Sequence, residues 1–242
     1  MRLEAKELEQ LNGMPPEELL IWAAANYNNR AGIFTSFQDT GCALIDMAHR
    51  IAPSLRVITV DTLRLHPETY ALIEAIEARY GITIERFQPD PAALERMIRE
   101  HGEYLFFDTK EKQEYCCKIR KVEPNNRALD TVDVWITGLR RDQSEFRAAT
   151  PKASLIKRNE RTLLKLCPLA EWTEEEVYRY NTANNVPRNA LYDKGYQSIG
   201  CVICSTPVRP GEDKRAGRWR WFNQYESGDK KECGIHINGS GI

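Results

Sequence analysis

The chain has 242 residues, 42% hydrophobic and 9% aromatic, which is enough to bury a core in one or two domains. Its 34 Lys and Arg residues almost balance its 35 Asp and Glu residues, and the formal net charge of −1 excludes a global field that would hold the protein on nucleic acid or an anionic membrane. The sequence shows neither the apolar run of a secretory signal near its start nor a stretch long enough to span a bilayer, so we expect a cytoplasmic protein.

Short β-rich runs alternate with amphipathic stretches through most of the chain. This alternation predicts an α/β fold in which parallel strands are joined by right-handed crossovers and covered by helices on both faces. Thr173 and Glu176 form a capping box that predicts the start of a late helix. The predicted helices are 15–27, 42–51, 67–80, 91–101, 110–122 and 173–184, and the predicted strands are 33–35, 56–60, 82–87, 132–137 and 163–166.

The last thirty or so residues are rich in glycine and charge, a composition that suits a mobile arm rather than a packed layer. We therefore predict two parts: a nucleotide-binding and metal-binding body over residues 1–209, and a C-terminal arm over residues 210–242.

Polar loops follow three of the predicted strands, at the sheet edge where open α/β folds bind ligands. The loop 36–41 brings hydroxyl and backbone N–H groups to a helix N-terminus, which favours phosphate. The loop 61–69 follows the second strand, and Arg140 and Arg141 follow the strand at 132–137; guanidinium groups suit phosphate or sulfate oxygens. An ordinary turn and a solvated arginine pair would explain each loop alone, but their convergence favours an anion site.

Four of the seven cysteines form an adjacent pair, Cys116–Cys117, and a CxxC motif, Cys201 to Cys204. Such clustering in a reducing compartment favours metal or redox chemistry over structural disulfides. Four thiolates complete either a tetrahedral Zn²⁺ site or a four-iron cluster. Adjacent helical residues point about 100° apart, which favours two irons of a cluster over one Zn²⁺ ion but leaves both open.

Cys233 lies alone in a glycine-rich segment, between Lys231 and His236, whose positive charge favours a thiolate. A thiol on such an arm could enter a site and then meet a second protein; a spare exposed thiol is the alternative. Cys42 and Cys167 lie in apolar contexts and are predicted to be core residues.

Taken together, six segments resemble the assimilatory adenylyl-sulfate (APS) reductases, within the wider APS/PAPS reductase family. The resemblance extends from about Ser36 to His236 and is far more specific than any single motif. The four-cysteine set resembles the APS-using branch, because members that use 3′-phosphorylated APS (PAPS) typically lack it. The segments are DTLRLHPETY, CCKIRKVEP, TGLRRDQSEFR, GYQSIGCVIC, AGRWRW and KECGIH.

The resemblance implies a Rossmann-like sheet of the adenine-nucleotide alpha-hydrolase type and the reduction of APS to sulfite and AMP in assimilatory sulfate reduction. Cys233 would be the nucleophile that forms an S-sulfocysteine, from which thioredoxin releases sulfite. A 4Fe-4S cluster would be held by Cys116, Cys117, Cys201 and Cys204. The predicted substrate contacts are Ser36, Phe37, Gln38, Thr62, Lys121, Arg140, Arg147, Arg215, Arg218 and His236.

Four positions depart from the family pattern: Thr40 and Gly41 where an acidic pair is common, Leu63 in the turn after the second strand, and Ile203 in place of the proline inside the CxxC motif. The alternatives are a PAPS reductase of the same fold, a PP-loop enzyme that adenylylates its substrate, and a Zn-bound nucleotide- or RNA-binding module in which Cys233 is idle. The lack of a clear SGGxDS loop counts against the second. The sequence leaves a homo-oligomer open.

Overall fold

A computed structural model of the chain describes residues 4–158 and 160–223. The strands of these residues form one sheet in the order β3-β2-β1-β4-β6-β5. The strands are β1 (Ala31–Phe34), β2 (Arg56–Val60), β3 (Ile84–Phe87), β4 (Val134–Thr137), β5 (Ala153–Arg158) and β6 (Arg161–Leu166).

Helices precede, connect and follow the strands. Within the described residues, no helix combines the length and the apolar character needed to cross a membrane. The helices are α1 (Ala5–Gly13), α2 (Pro16–Tyr27), α3 (Asp39–Ile51), α4 (Pro67–Tyr80), α5 (Pro91–His101), α6 (Lys110–Cys117), α7 (Glu123–Asp130), α8 (Glu174–Ala183) and α9 (Arg220–Asn223).

The sheet is buried on both faces, as the predicted α/β architecture requires. Ile33 and Ile136 point to the face covered by α1, α2, α3 and α8. Phe34 and Trp135 point to the other face, where their rings lie 6.1 Å apart and pack on α7. Successive residues of a strand point to opposite faces, so each strand contributes to both layers. Each large side chain buried in this way contributes about 1.5–3 kcal/mol.

The predicted parallel sheet is confirmed, with one additional edge strand, β5, that the sequence pattern does not predict. Pairing is parallel from β3 to β6, but β5 runs antiparallel to β6, with Arg158 opposite Arg161. The sequence pattern misses β5 because an edge strand with one solvated face carries charged residues and resembles a loop.

The segment predicted as a single helix over 110–122 is longer and is not uniform. α6 ends at Cys117, the chain then makes a wider π-type turn over Lys118–Val122, and α7 continues to Asp130. Pro124, near the start of α7, has no backbone N–H, which accounts for the break in regular α-helical hydrogen bonding. Such π turns occur frequently at functional sites, and Lys121 lies in this one.

Other predicted helix and strand boundaries agree more closely with the structure. β2 and α4 have the predicted ends, while α3 begins at Asp39 rather than at residue 42. The predicted capping box is confirmed: Thr173 Oγ1 accepts from Glu176 N at 3.2 Å, and a Glu176 oxygen accepts from Thr173 N at 2.6 Å.

Residues 210–223, the first part of the predicted arm, pack against the body. Trp219 is buried, and Trp221 Nε1 donates to the Phe106 carbonyl at 3.1 Å. Arg220 pairs with Glu212 at 2.9 Å. The rest of the arm lies outside the described residues, and the division at residue 209 stays a prediction.

Candidate active site

A cavity of about 300 Å³ lies at the carboxyl ends of β1, β2 and β4. β1 pairs with β2 on one side and with β4 on the other, so the order of connections reverses there, and such switch points are where open α/β sheets bind ligands. The three polar loops predicted to converge all line this cavity. The predicted contacts on its wall are Ser36, Phe37, Gln38, Thr62, Lys121, Arg140, Arg147, Arg215 and Arg218.

Two predicted functional residues cannot be located in the same way. Cys233, the predicted nucleophile, and His236, a predicted substrate contact, both lie outside the described residues. Their roles stay predictions.

The loop after β1 is fixed by its own polar groups. Thr35 Oγ1 accepts from Phe37 N at 2.9 Å, and Phe37 has a left-handed backbone with φ of 55°, a conformation that is uncommon for non-glycine residues. Gln38 Nε2 donates to Ser36 Oγ at 3.1 Å, and Gln38 Oε1 accepts from Ile199 N at 3.3 Å. Phe37 is fully buried and anchors the loop, while Ser36 and Gln38 present polar groups.

The loop after β4 contacts the first turn of α3 at Gly138. A Cβ atom on Gly138 would lie 3.2 Å from Thr40 Cβ and 3.3 Å from Gly41 N. A side chain at Gly138 would therefore push the loop away from α3, and glycine allows this close contact in the cavity wall. Thr40 and Gly41, which depart from the family pattern, form one side of this contact.

Only one of the two adjacent arginines faces the cavity, although the sequence predicts both at this edge. Arg140 lines it, but Arg140 Nε donates to Asp142 at 2.9 Å and Arg140 Nη1 donates to the Thr40 hydroxyl. Arg141 instead donates to the Thr150 carbonyl at 2.9 Å and pairs with Glu171 at 3.1 Å. The charge of Arg140 is thus largely compensated, which suits a residue that shapes the loop.

Three carboxylates on the wall are missed by the sequence prediction: Asp39, Asp142 and Glu174. Asp142 accepts from Glu174 N at 2.7 Å, and Glu174 pairs with Lys214. Burial raises the pKa of Asp39, while Arg188, 3.4 Å away, acts in the opposite direction. The sequence analysis does select the segment that contains Asp39. It does not predict that the three carboxylates lie in one wall, because their contacts join segments that are distant in sequence.

The cations that the resemblance implies as phosphosulfate contacts also line the cavity. Arg218 is 6% exposed, and its guanidinium lies 4.9 Å from the Trp219 ring centre, held there by an antiparallel bridge between Ser205 and Arg218. Lys121, Arg147 and Arg215 line the same cavity. Buried or half-buried cations in a cleft form a strong local anion site even when the net charge of the protein is near zero.

A second, smaller cavity adjoins the first. Its wall contains all four clustered cysteines, Cys116, Cys117, Cys201 and Cys204. Three residues, Lys121, Cys201 and Arg218, belong to the walls of both cavities. The structure therefore brings the cysteine set next to the cationic end of the larger cavity, as the sequence predicts.

Two of the four cysteines of this smaller cavity, Cys116 and Cys204, are buried, and the other two are partly exposed. Desolvation raises the pKa of Cys204 to about 12, with the neighbouring Cys201 as a further cause. Burial also raises the pKa of Cys116, against the opposing effect of Arg120. Such thiols stay protonated unless a metal replaces the proton. In residues 4–158 and 160–223, no group of three or more His, Cys, Asp or Glu side chains converges closely enough to hold a metal ion.

Comparison with known proteins identifies relatives that cover most of the chain. Residues 31–207 match the family described as the phosphoadenosine phosphosulfate reductase domain. An adenosine 5′-phosphosulfate reductase of Burkholderia cepacia is 47% identical over 181 residues, which cover 75% of this chain and 70% of the relative. A crystal structure of phosphoadenylyl-sulfate (PAPS) reductase from Candida auris, a phosphate complex, has a TM-score of 0.72 at 30% identity and covers 86% of this chain and 99% of that one.

A more distant structure shares the fold alone. A Candida glabrata FMN adenylyltransferase in complex with FAD and pyrophosphate is 13% identical with a TM-score of 0.55, covering 96% of this chain and 79% of that one. The predicted class of adenine-nucleotide sheet is confirmed by these likenesses.

Proposed function

The chain belongs to the phosphoadenosine phosphosulfate reductase family, and from its site we propose that it reduces adenylyl sulfate (APS) to sulfite and AMP. The observation that carries the proposal is the shared wall of the two cavities. Lys121, Cys201 and Arg218 stand between a nucleotide-sized cleft and a four-cysteine pocket. An anionic substrate in the cleft would therefore lie beside the thiolate site.

The similar relatives support APS rather than PAPS as the substrate. The Burkholderia cepacia relative, at 47% identity, is named for APS, while the Candida auris structure, at 30% identity, is named for PAPS.

We further propose that Cys116, Cys117, Cys201 and Cys204 hold a 4Fe-4S cluster. The donor set fits such a group, because four thiols share one pocket with Arg120, Lys121 and Arg218, which would balance its negative charge. When bound, the cluster would supply charge and order beside the substrate.

In the first chemical step, Cys233 would act as the nucleophile. Its thiolate would attack the sulfur of the bound sulfate, forming an S–S bond while the S–O bond to the phosphate breaks and AMP leaves with the electron pair. The product on the enzyme is an S-sulfocysteine, so one difficult displacement is split into two. Lys121, Arg215 and Arg218 would stabilise the charge that develops on the departing phosphate.

The second step would need a dithiol protein, by resemblance thioredoxin. One of its thiolates would attack Cys233 Sγ and release sulfite, leaving a mixed disulfide, and its second thiol would resolve that disulfide and regenerate the Cys233 thiol. The two electrons therefore come from the dithiol. A reducing, cytoplasmic location and a place in assimilatory sulfate reduction, toward cysteine biosynthesis, complete the proposal.

One assay tests the function as a whole. Anaerobically purified protein would be given APS and reduced thioredoxin, and sulfite and AMP would be measured. We expect equal amounts of both products, and a much smaller specificity constant when PAPS replaces APS. Sulfite from PAPS at an equal or greater specificity constant would favour the PAPS reductase alternative. Colourless protein with stoichiometric Zn²⁺ and no sulfite would favour the zinc module.

A further inference from the structure

Gln113 is a buried polar residue whose side chain faces the cysteine pocket. It is 8% exposed, lies in the wall of the smaller cavity, and stands one turn before Cys117 on α6. Residues four apart in a helix share a face, and here Gln113 Nε2 lies 3.0 Å from Cys117 Sγ. This geometry aims an N–H donor at one of the four sulfurs.

The other three sulfurs have different polar neighbours. The positive charge of Arg120 acts on the Cys116 thiol and opposes the rise of its pKa. The Cys201 thiol donates to Thr62 Oγ1 at 3.3 Å, a contact that a thiolate would make by accepting from the hydroxyl. Cys204 lies in the field of Arg218 and Lys121. Gln113 thus gives Cys117 a neutral amide donor, where the other positions have a hydroxyl group or cations.

The burial of an amide at this position calls for a reason. Its neighbours in the cavity wall include the apolar Phe106 and Ile203, and a carboxamide is costly to bury unless it is hydrogen-bonded. A methionine would fill similar space without that cost. A thiolate has no proton and can only accept, so a fixed N–H donor stabilises it more than it stabilises a thiol.

We propose that Gln113 is a positioning residue that donates a hydrogen bond from Nε2 to Cys117 Sγ and so holds this cysteine as a thiolate ligand of the cluster. The inference rests on the proposed function, because it requires the four cysteines to bind the cluster. Partners of metal ligands typically change metal affinity by about 10–100-fold when they are removed.

The test compares Gln113→Met, which keeps length and helix propensity but removes the donor, with Gln113→Glu, which keeps shape but replaces the donor by a like charge. Glu114→Met is the matched control, since Glu114 is the next residue of α6 and is exposed. Full-length proteins would be purified anaerobically. The measurements are iron and acid-labile sulfide per chain, the rate of iron transfer to a chelator, Fe–S stretching frequencies by resonance Raman, and urea unfolding.

We expect Gln113→Met to lose iron about 10-fold faster or more, with shifted Fe–S frequencies, and Gln113→Glu to lose it faster still. Glu114→Met should match the wild type. Equal iron retention and unchanged frequencies in both Gln113 variants would overturn the inference and leave the proposed function intact. If Gln113→Met fails to fold, the Gln113→Glu result decides. Wild-type protein without iron would overturn the proposed cluster and this inference together.

Discussion

The guanidinium group of Arg218 lies directly against the backbone of Gly200, in the space that a Cβ atom would need. A methyl group at this position must displace the guanidinium, which is the flexible end of its side chain, so the fold should persist while Arg218 moves. Because small displacements of substrate-positioning groups are costly, we expect Gly200→Ala to lower kcat/KM for APS by about 100-fold. Steady-state kinetics and a thermal melt of the same sample check this.

The control is Gly13→Ala, since a Cβ atom on Gly13 meets nothing within 4 Å. It should leave kcat/KM unchanged. Wild-type kinetics in Gly200→Ala would show that the position of Arg218 does not matter for the reaction.

Lys121 lies in the π-type turn and borders both cavities. If it stabilises charge on the departing phosphate, Lys121→Ala should slow formation of the S-sulfocysteine by about 10²–10³-fold, while the dissociation constant for APS changes much less. Rapid-quench single turnovers with mass detection of the adduct measure the first, and equilibrium binding measures the second. Lys118→Ala, at an exposed position of the same turn, serves as the control. An unchanged single-turnover rate in Lys121→Ala would remove the proposed role.

Local signals explain which parts of the fold were predictable. Pro67 at the start of α4 and Thr173 before α8 mark helix starts that sequence rules recognise, and both predictions agree with the structure. The π-type turn at Lys118–Val122 and the edge strand β5 depend on tertiary context. Pro124 marks a break in the helix but does not specify the wider turn before it, and the charged residues of β5 resemble a loop, so neither was predicted.

The same distinction holds for the candidate site, where a general rule of the fold predicted its position but not the contacts between distant segments. The rule that ligands bind at the carboxyl ends of parallel strands predicted the convergence of three loops. It did not predict that Arg141 turns away to Glu171, or that Asp39 faces Arg188, which is 149 residues distant in sequence. Such pairings depend on where remote segments meet, and a single sequence carries no signal for them.

Leu63, which departs from the family pattern in the turn after β2, has a left-handed backbone. Its φ is 58° and its side chain is 45% exposed. The left-handed region costs about 1–2 kcal/mol for an ordinary residue, whereas glycine adds about 0.5–1 kcal/mol of unfolded-state entropy. We therefore expect Leu63→Gly to raise the free energy of unfolding by about 0.5–1 kcal/mol, measured by urea denaturation. Leu63→Ala, which keeps the strain, should give no such gain; equal stability of both variants would contradict the explanation.

Asp39 should make stability depend on pH in a defined direction. Burial raises its pKa above the ordinary value of 3.8, so just above pH 3.8 the folded state binds more protons than the unfolded state. Stability then falls as pH rises through the folded pKa, and the loss persists at neutral pH. Asp39→Asn, which cannot ionise, should be more stable than the wild type at pH 7, and the difference should shrink toward pH 4.

Urea denaturation across this pH range measures the effect. Asp193→Asn is the control, because Asp193 also pairs with Arg188 but its side chain is 77% exposed. A wild-type protein more stable than Asp39→Asn at pH 7 would mean that the ion pair with Arg188 outweighs the cost of burial.

The proposed mechanism requires that the Cys233 sulfur attack the sulfate group of APS and carry the SO₃ group. In a Cys233→Ser variant the serine hydroxyl is a far weaker nucleophile than a thiolate at neutral pH, so AMP release should fall to background and no mass increase of one SO₃ group should appear. The four cysteines of the proposed cluster are untouched, so iron content and APS binding should match the wild type. Cys42→Ala, which alters a buried thiol of the core, should still form the adduct. Turnover in Cys233→Ser, or an adduct on another cysteine of the wild type, would transfer the nucleophilic role elsewhere, because only one sulfur can carry the sulfite in each cycle.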